Sequence, residues 1–312
     1  MKPDILLINP MLPVIDEALC TSYNVHRYYE QTDKDGYIRE VGGTIRGVVT
    51  GGASGIGKAL MERLPALEVV AVNGIGTDAV DVEQARARGI HVSTTPGVLT
   101  EDVADLAIGL LIAACRGLCA GDRHVREGKW IKGGLPLARK FSGMRVGIVG
   151  LGRVGRAIAT RAVAFGCPIS YTDLHAIPDV PYNYIGDLKD LARASDALVL
   201  AASADDAQGI VDASVLDALG PKGYVINVAR GKLVNEQDLI EALDQGRIAG
   251  AGLDVFVDEP NVPPALFGIE RVTLQPHRGS ATVETRTDMG NIVLASLAEA
   301  FAGHRPGTRV TT

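Results

Sequence analysis

The chain has 312 residues, which at about 150 residues per domain reads as two domains. Apolar residues make up 46% and charged residues 22%, and no stretch is both polar and low in complexity, so a long disordered tail is excluded. The formal charge of -6 argues against a nucleic-acid surface, and the longest apolar run, Leu106 to Cys115, is far short of the ~20 residues that span a bilayer.

In chain order, Ile5-Ile8, Gly47-Thr50, Val69-Val72 and His91-Val92 read as short, buried parallel strands. Ala53-Leu64 and Val80-Arg88 read as helices between them. From Glu101 to Val125 the pattern predicts one long helix, with Leu106, Leu110 and Ala114 on an apolar stripe. A polar, glycine-rich arm follows, Arg126 to Lys140, with the only tryptophan, Trp130. A second α/β series then opens at Arg145-Val149. Its further strands are Ile169-Thr172, Ala197-Ala201, Tyr224-Asn227, Ala251-Asp254 and Val272-Leu274. The last helix, Thr285 to Phe301, is apolar and is expected to cross back onto the first half. Short strands, helices and glycine-rich turns in alternation give an α/β fold class. The start, Met1-Lys2-Pro3-Asp4, runs straight into a strand without a signal-peptide core, so the expected location is cytoplasmic.

The four cysteines form no CxxC pair, and no metal site is read from them. Cys115 and Cys119, four apart, are expected to share a helix face as small buried hydrophobes.

Two segments carry nucleotide-binding signatures. Thr50-Gly51-Gly52-Ala53-Ser54-Gly55-Ile56-Gly57 matches the cofactor loop of short-chain dehydrogenases, but no Tyr-x-x-x-Lys pair accompanies it. It also follows some fifty residues, where that family places it after the first strand. It reads as a tight turn facing a cleft. Gly150-Leu151-Gly152-Arg153-Val154-Gly155 has the right setting: a strand before it, a helix after it, and a second strand ending at Asp173. The first glycine makes the turn, the second admits the pyrophosphate and the third packs helix on strand, while the helix N-terminus stabilises phosphate. Gly150, Gly152, Arg153, Val154 and Gly155 are therefore cofactor candidates, with Asp173 facing the adenosine ribose.

Three polar residues follow the ends of later strands: Arg230 in Asn227-Val228-Ala229-Arg230-Gly231, Glu259 before Pro260, and His277 after Pro276. Ligands of open parallel sheets bind at those carboxyl ends. A protonated imidazole can supply a proton to a ketone oxygen. A carboxylate beside it favours the charged ring, and a guanidinium grips a carboxylate with two prongs. Arg278, Arg247 and Glu241 read as solvated surface, and Asp254 as a possible turn cap.

Together these segments resemble the D-isomer-specific 2-hydroxyacid dehydrogenases, in their glyoxylate/hydroxypyruvate and hydroxyphenylpyruvate reductase branch. The resemblance covers nearly the whole chain. It includes Gly74-Ile75-Gly76-Thr77-Asp78, Thr95-Pro96-Gly97-Val98-Leu99-Thr100, Gly150-Gly155, Val228-Gly231, Asp254-Pro260 and Pro276-Thr285. It implies two Rossmann- and flavodoxin-like parallel-sheet domains with a cleft between them. The substrate domain is residues 1-97 and 284-312, and the coenzyme domain, 98-283, is inserted in it. It implies Arg230, Glu259 and His277 as the catalytic set, and the amides of Ile75 and Gly76 as the seat of the substrate carboxylate. Thr100, Ala229, Asp254 and Gly279 join the cofactor residues.

The expected activity is reduction of a small 2-oxo acid to the D-2-hydroxy acid. NAD(H) is favoured over NADP(H), because Asp173-Leu174-His175 stands where the branch often has Ser-Arg-Ser. A homodimer paired through the long helix and the arm is expected, with no nucleic acid and no membrane as partners. Larger 2-oxo acids, aryl pyruvates or 2-keto sugar acids, are the alternative substrates. The C-terminal-binding corepressors, NADH-responsive scaffolds of the same fold, are the non-enzymatic alternative. Ala202-Ser203-Ala204-Asp205 departs from the family's Cys-Pro-Leu-Thr, which leaves the adenine contacts unassigned.

Overall fold

The computed structural model describes residues 2–203 and 207–310. Ala204 and Asp205 of the departing loop lie outside the described residues. The chain divides into two compact units, Met1–Leu99 with Ala281–Thr312, and Thr100–Ser280. Both are parallel-sheet α/β units.

The first unit begins with β1 (Asp4–Leu7), α1 (Pro13–Ser22), β2 (Asn24–Arg27), α2 (Lys34–Val41) and β3 (Ile45–Gly51). It continues with α3 (Lys58–Glu62), β4 (Val69–Asn73), α4 (Val82–Ala87) and β5 (His91–Ser93). The sheet order is β2-β1-β3-β4-β5, all parallel. Ile5, Leu6, Val48, Val70 and Val92 are shut off from solvent, as a strand covered on both faces requires. The C-terminal helix Val283–Phe301 packs on this unit, with Val293 and Leu297 joining the core formed by Ile5, Leu7 and Val69.

The second unit runs α5 (Thr100–Arg116), α6 (Leu118–Arg126), β6 (Val146–Val149), α7 (Arg153–Ala164), β7 (Ile169–Thr172) and β8 (Asn183–Tyr184). Then come α8 (Leu188–Arg193), β9 (Ala197–Leu200), α9 (Ala213–Leu219), β10 (Tyr224–Asn227), α10 (Glu236–Asp244), β11 (Gly250–Leu253) and β12 (Val272–Leu274). Its sheet has seven strands in the order β12-β11-β10-β9-β6-β7-β8. The strand order reverses between β6 and β9, the place where such sheets bind ligands.

Three sequence expectations are corrected, and two edge strands are added. The helix expected over Glu101–Val125 is two, bent by 61° at Gly117. Gly117 takes φ 63°, a left-handed conformation that glycine enters without a Cβ clash. Cys119 consequently leaves the buried face: it is exposed while Cys115 is buried. The helix expected over Ala53–Leu64 shrinks to α3, because the residues before it form a turn in which Gly55 has φ 53°. The edge strands β2 and β8 carry Asn24, His26, Arg27 and Asn183, too polar to stand out by hydrophobic pattern. Among the described residues no single helix is long and apolar enough to cross a membrane.

Candidate active site

The glycine turn of the second unit is built by three different constraints. Gly150 follows β6 with φ 88°, and a Cβ there would collide with the Ala202 backbone at the end of β9. A Cβ on Gly155 would strike the carbonyl of Gly150, so this glycine lets α7 sit down on the turn. Gly152 is the cap of α7 with no side-chain hydrogen bond, and a Cβ there would meet nothing within 4 Å. A helix start that is bare, open and uncapped fits a dinucleotide pyrophosphate, whose charge the free amides and helix dipole stabilise.

Asp173 lies directly after β7. Its Oδ2 accepts from Leu151 N at 2.8 Å and its Oδ1 from Leu174 N at 2.8 Å. The carboxylate is thus fixed against the glycine turn, with lone pairs left for further donors. Leu174, which follows, is 89% exposed. Thr100 opens α5, which is tied to α7 through Arg161, paired with Glu101 at 2.7 Å and Asp105 at 2.5 Å.

The polar trio sits on loops that leave β10, β11 and β12, adjacent strands in this order. Glu259 Oε2 is 2.6 Å from His277 Nδ1, and Glu259 Oε1 accepts from Phe256 N at 3.0 Å. Burial pushes the Glu259 carboxyl up. The hydrogen bonds from His277 and Phe256, with the nearby charges of His277 and Arg230, outweigh it and hold the group below its usual range. Arg230 is brought beside this pair because Gly231 has no Cβ; one there would collide with the Phe256 backbone. The Arg230 guanidinium donates to the Ala229 carbonyl at 2.7 Å.

Asp254 is 1% exposed. Its Oδ1 accepts from Arg278 N at 2.6 Å and its Oδ2 from Gly279 N at 2.8 Å, while its carbonyl accepts from His277 N at 2.8 Å. Burial raises its carboxyl above the usual range despite those amides. These three bonds hold His277 at φ 51°, a region that a non-glycine residue enters only when its surroundings impose it.

Two anchoring residues were not singled out by sequence. Asn227, 1% exposed, accepts from Ala229 N at 3.1 Å and donates to Arg230 O at 2.9 Å, closing the arginine loop. Glu236 accepts from Val257 N at 3.2 Å, which pins the loop carrying Glu259. A buried strand ending in asparagine just before a candidate arginine was the available signal for the first; the second had none.

Ile75 and Gly76 belong to the other unit, in the turn after β4. Ile75 is 43% exposed. There Gly52 packs so closely that a Cβ on it would lie 2.9 Å from the Gly76 carbonyl oxygen.

A family model described as D-isomer specific 2-hydroxyacid dehydrogenase, NAD binding domain, matches residues 108–279. The chain is 47% identical to a glyoxylate/hydroxypyruvate reductase A of Arabidopsis thaliana, over 96% of each chain. It is 44% identical to a 2-ketogluconate reductase of Gluconobacter oxydans, again over 96% of each. Among solved structures, an NADPH-dependent glyoxylate/hydroxypyruvate reductase of Sinorhizobium meliloti, in complex with NADP and malonate, superposes with a TM-score of 0.90. That match has 39% identity and covers 99% of this chain and 97% of the other.

Proposed function

The chain belongs to the D-isomer-specific 2-hydroxyacid dehydrogenase family, and from that premise we propose that it reduces small 2-oxo acids of the glyoxylate and hydroxypyruvate type to D-2-hydroxy acids with NADH. The observation that carries this is the Glu259–His277 pair at 2.6 Å, beside Arg230 on neighbouring strand ends of the unit that holds the glycine turn.

A bound reduced nicotinamide supplies the hydride. Arg230 binds the substrate carboxylate and polarises the 2-oxo group. His277 gives its Nε2 proton to the carbonyl oxygen as negative charge develops there. Glu259 accepts a hydrogen bond from the Nδ1–H, which orients the ring and stabilises its positive charge. The Ile75 and Gly76 amides are assigned to the substrate carboxylate. Residues 1-97 and 284-312 are assigned as the substrate domain, and 98-283 as the coenzyme domain. Gly150, Gly152, Arg153, Val154 and Gly155 are assigned to the pyrophosphate turn. Ala229 and Asp254 are assigned to flank the nicotinamide, and Thr100 and Gly279 to the cofactor site.

NADH is preferred to NADPH in this reading. Asp173 Oδ2 is held against the turn by Leu151 N, and the carboxylate keeps lone pairs that can accept from the ribose hydroxyls, whereas a 2′-phosphate meets like charge. The protein works as a homodimer: Trp130, Ile131 and Leu137 are 69%, 91% and 103% exposed on the arm after α6, an apolar surface that a second copy would cover. Four free cysteines suit a reducing, cytoplasmic setting. The test is loss of NADH absorbance with glyoxylate and hydroxypyruvate, with chiral analysis of the glycerate formed. An NADH-binding protein that reduces neither acid, or one that yields L-glycerate, refutes the proposal.

A further inference from the structure

The glycine-rich turn at residues 50–57 has no part in the cofactor assignments, yet it walls a pocket of about 450 Å³ within the five-stranded unit. The pocket is lined by Asn9, Tyr28, Tyr29, Lys34, Ser54 and Gly57, among others. Asn9 follows β1, Tyr28 follows β2 and Ser54 follows β3, so the pocket stands at the carboxyl ends of these strands. The order β2-β1-β3-β4-β5 reverses between β1 and β3, and open parallel sheets bind ligands at that point.

The lining is built to donate hydrogen bonds. Asp33 is committed to Gly36 N at 2.8 Å, and Asp35 to Arg63 at 2.6 Å. Neither neighbour pairs with Lys34, whose ammonium lies 5.1 Å from the centre of the Tyr28 ring. Asn9 accepts from Gly51 N at 2.9 Å and donates to Ser54 Oγ at 2.8 Å. Ser54 therefore keeps its own proton to donate.

The same turn abuts the turn of Ile75 and Gly76, through the Gly52–Gly76 approach described above and through Gly55, whose Cβ would collide with the Ala79 carbonyl. Gly51 and Gly52 add no side chain of their own between that turn and the pocket, where the Asn9 amide lies against Gly51. Neighbouring strands are ~4.8 Å apart, so the step from the end of β4 to the boundary of β3 and β1 is about 7 Å. An extended six-carbon chain spans about 6 Å.

We propose that this pocket is the far end of the substrate site and takes the hydroxylated tail of a six-carbon 2-oxo acid whose carboxylate rests on the Ile75 and Gly76 amides. The proposal rests on the reductase reading above. Lys34 and Ser54 donate to the tail's hydroxyl oxygens, and a two-carbon acid leaves the pocket unused.

The experiment compares kcat/KM for glyoxylate and 2-oxo-D-gluconate in the wild type, Lys34→Met and Gly57→Phe. Gly57 has φ -81° and a Cβ there meets nothing within 4 Å, so the ring enters the pocket without backbone strain. With 2-oxo-D-gluconate, Lys34→Met loses about fivefold to tenfold, the worth of one or two hydrogen bonds, and Gly57→Phe at least about tenfold. With glyoxylate both variants stay within about twofold of wild type. Equal losses on both acids, no loss on the sugar acid, or a wild type that reduces glyoxylate alone overturns the pocket assignment and leaves the reductase reading intact. A wild type that reduces no 2-oxo acid overturns both.

Discussion

Replacing Glu259 with glutamine exchanges one oxygen for an amide nitrogen and removes the charge that faces His277. In the wild type one carboxylate oxygen accepts from Phe256 N at 3.0 Å and the other lies 2.6 Å from His277 Nδ1. Glutamine has one accepting and one donating end. Turning its oxygen to the Phe256 amide puts its NH₂ against Nδ1, where the ring must then present a lone pair. A hydrogen bond to a charged group contributes about 1.5–3 kcal/mol and a neutral one about 1 kcal/mol. The side chains are 43% and 23% exposed, so solvent screening trims the difference to about 1 kcal/mol.

Reduction consumes the protonated ring, so kcat/KM for the oxo acid falls as pH rises. In Glu259→Gln the carboxylate's support of the charged ring is gone, and kcat/KM for the oxo acid drops about fivefold at neutral pH, the effect of about 1 kcal/mol. Oxidation of the hydroxy acid, which needs the neutral ring, gains at the same pH. The values read from such profiles belong to the pair as a whole. Stability follows the carboxyl. Because Glu259 is held below its usual range, its ionised form contributes stability above the ordinary carboxylate pKa, and this is lost as pH falls through the lowered value. The glutamine variant lacks that acid-side loss. Wild-type and variant profiles that superimpose would show that the carboxylate does not tune the ring.

Arg230→Lys keeps the charge and loses the planar fork, so KM for the oxo acid rises by about tenfold or more while NADH affinity, measured by fluorescence titration, changes little. Asp173→Ser removes the carboxylate held against Leu151 N and raises kcat/KM with NADPH relative to NADH by about tenfold, the effect of ~1.4 kcal/mol; an unchanged ratio would count against the ribose assignment. Gly155→Ala drives a Cβ into the Gly150 carbonyl and costs about 1–3 kcal/mol, as overpacking does, read as a lower Tm and weaker NADH binding. Light scattering gives a dimer mass at micromolar concentration, and Trp130→Asp with Leu137→Asp shifts it toward monomer.

The order of strands and helices around the glycine turn could be read from local pattern alone. A buried strand, three glycines at fixed spacing and an acid after the next strand are all set by neighbours in sequence, and Gly150, Gly155 and Asp173 occupy the corresponding places. The positions of Arg230, Glu259 and His277 were legible for a related reason: each comes just after a buried parallel strand, where the chain must emerge at the carboxyl edge. Their mutual contacts were not, because they depend on β10, β11 and β12 lying side by side. Sequence offered Asp254 only as a turn cap or a flank of the cofactor. Only the fold brings the amides of Arg278 and Gly279, 24 and 25 residues away, onto its carboxylate. The unbroken apolar stripe hid the bend at Gly117, since side-chain pattern carries no information about a backbone φ. The polar edge strands were silent because they have one neighbour and little to bury. Sequence determined the elements and the chemical groups, because period and spacing act between near residues. Tertiary structure decided which groups meet and which are buried, because hydrogen bonds between loops are set by strand order.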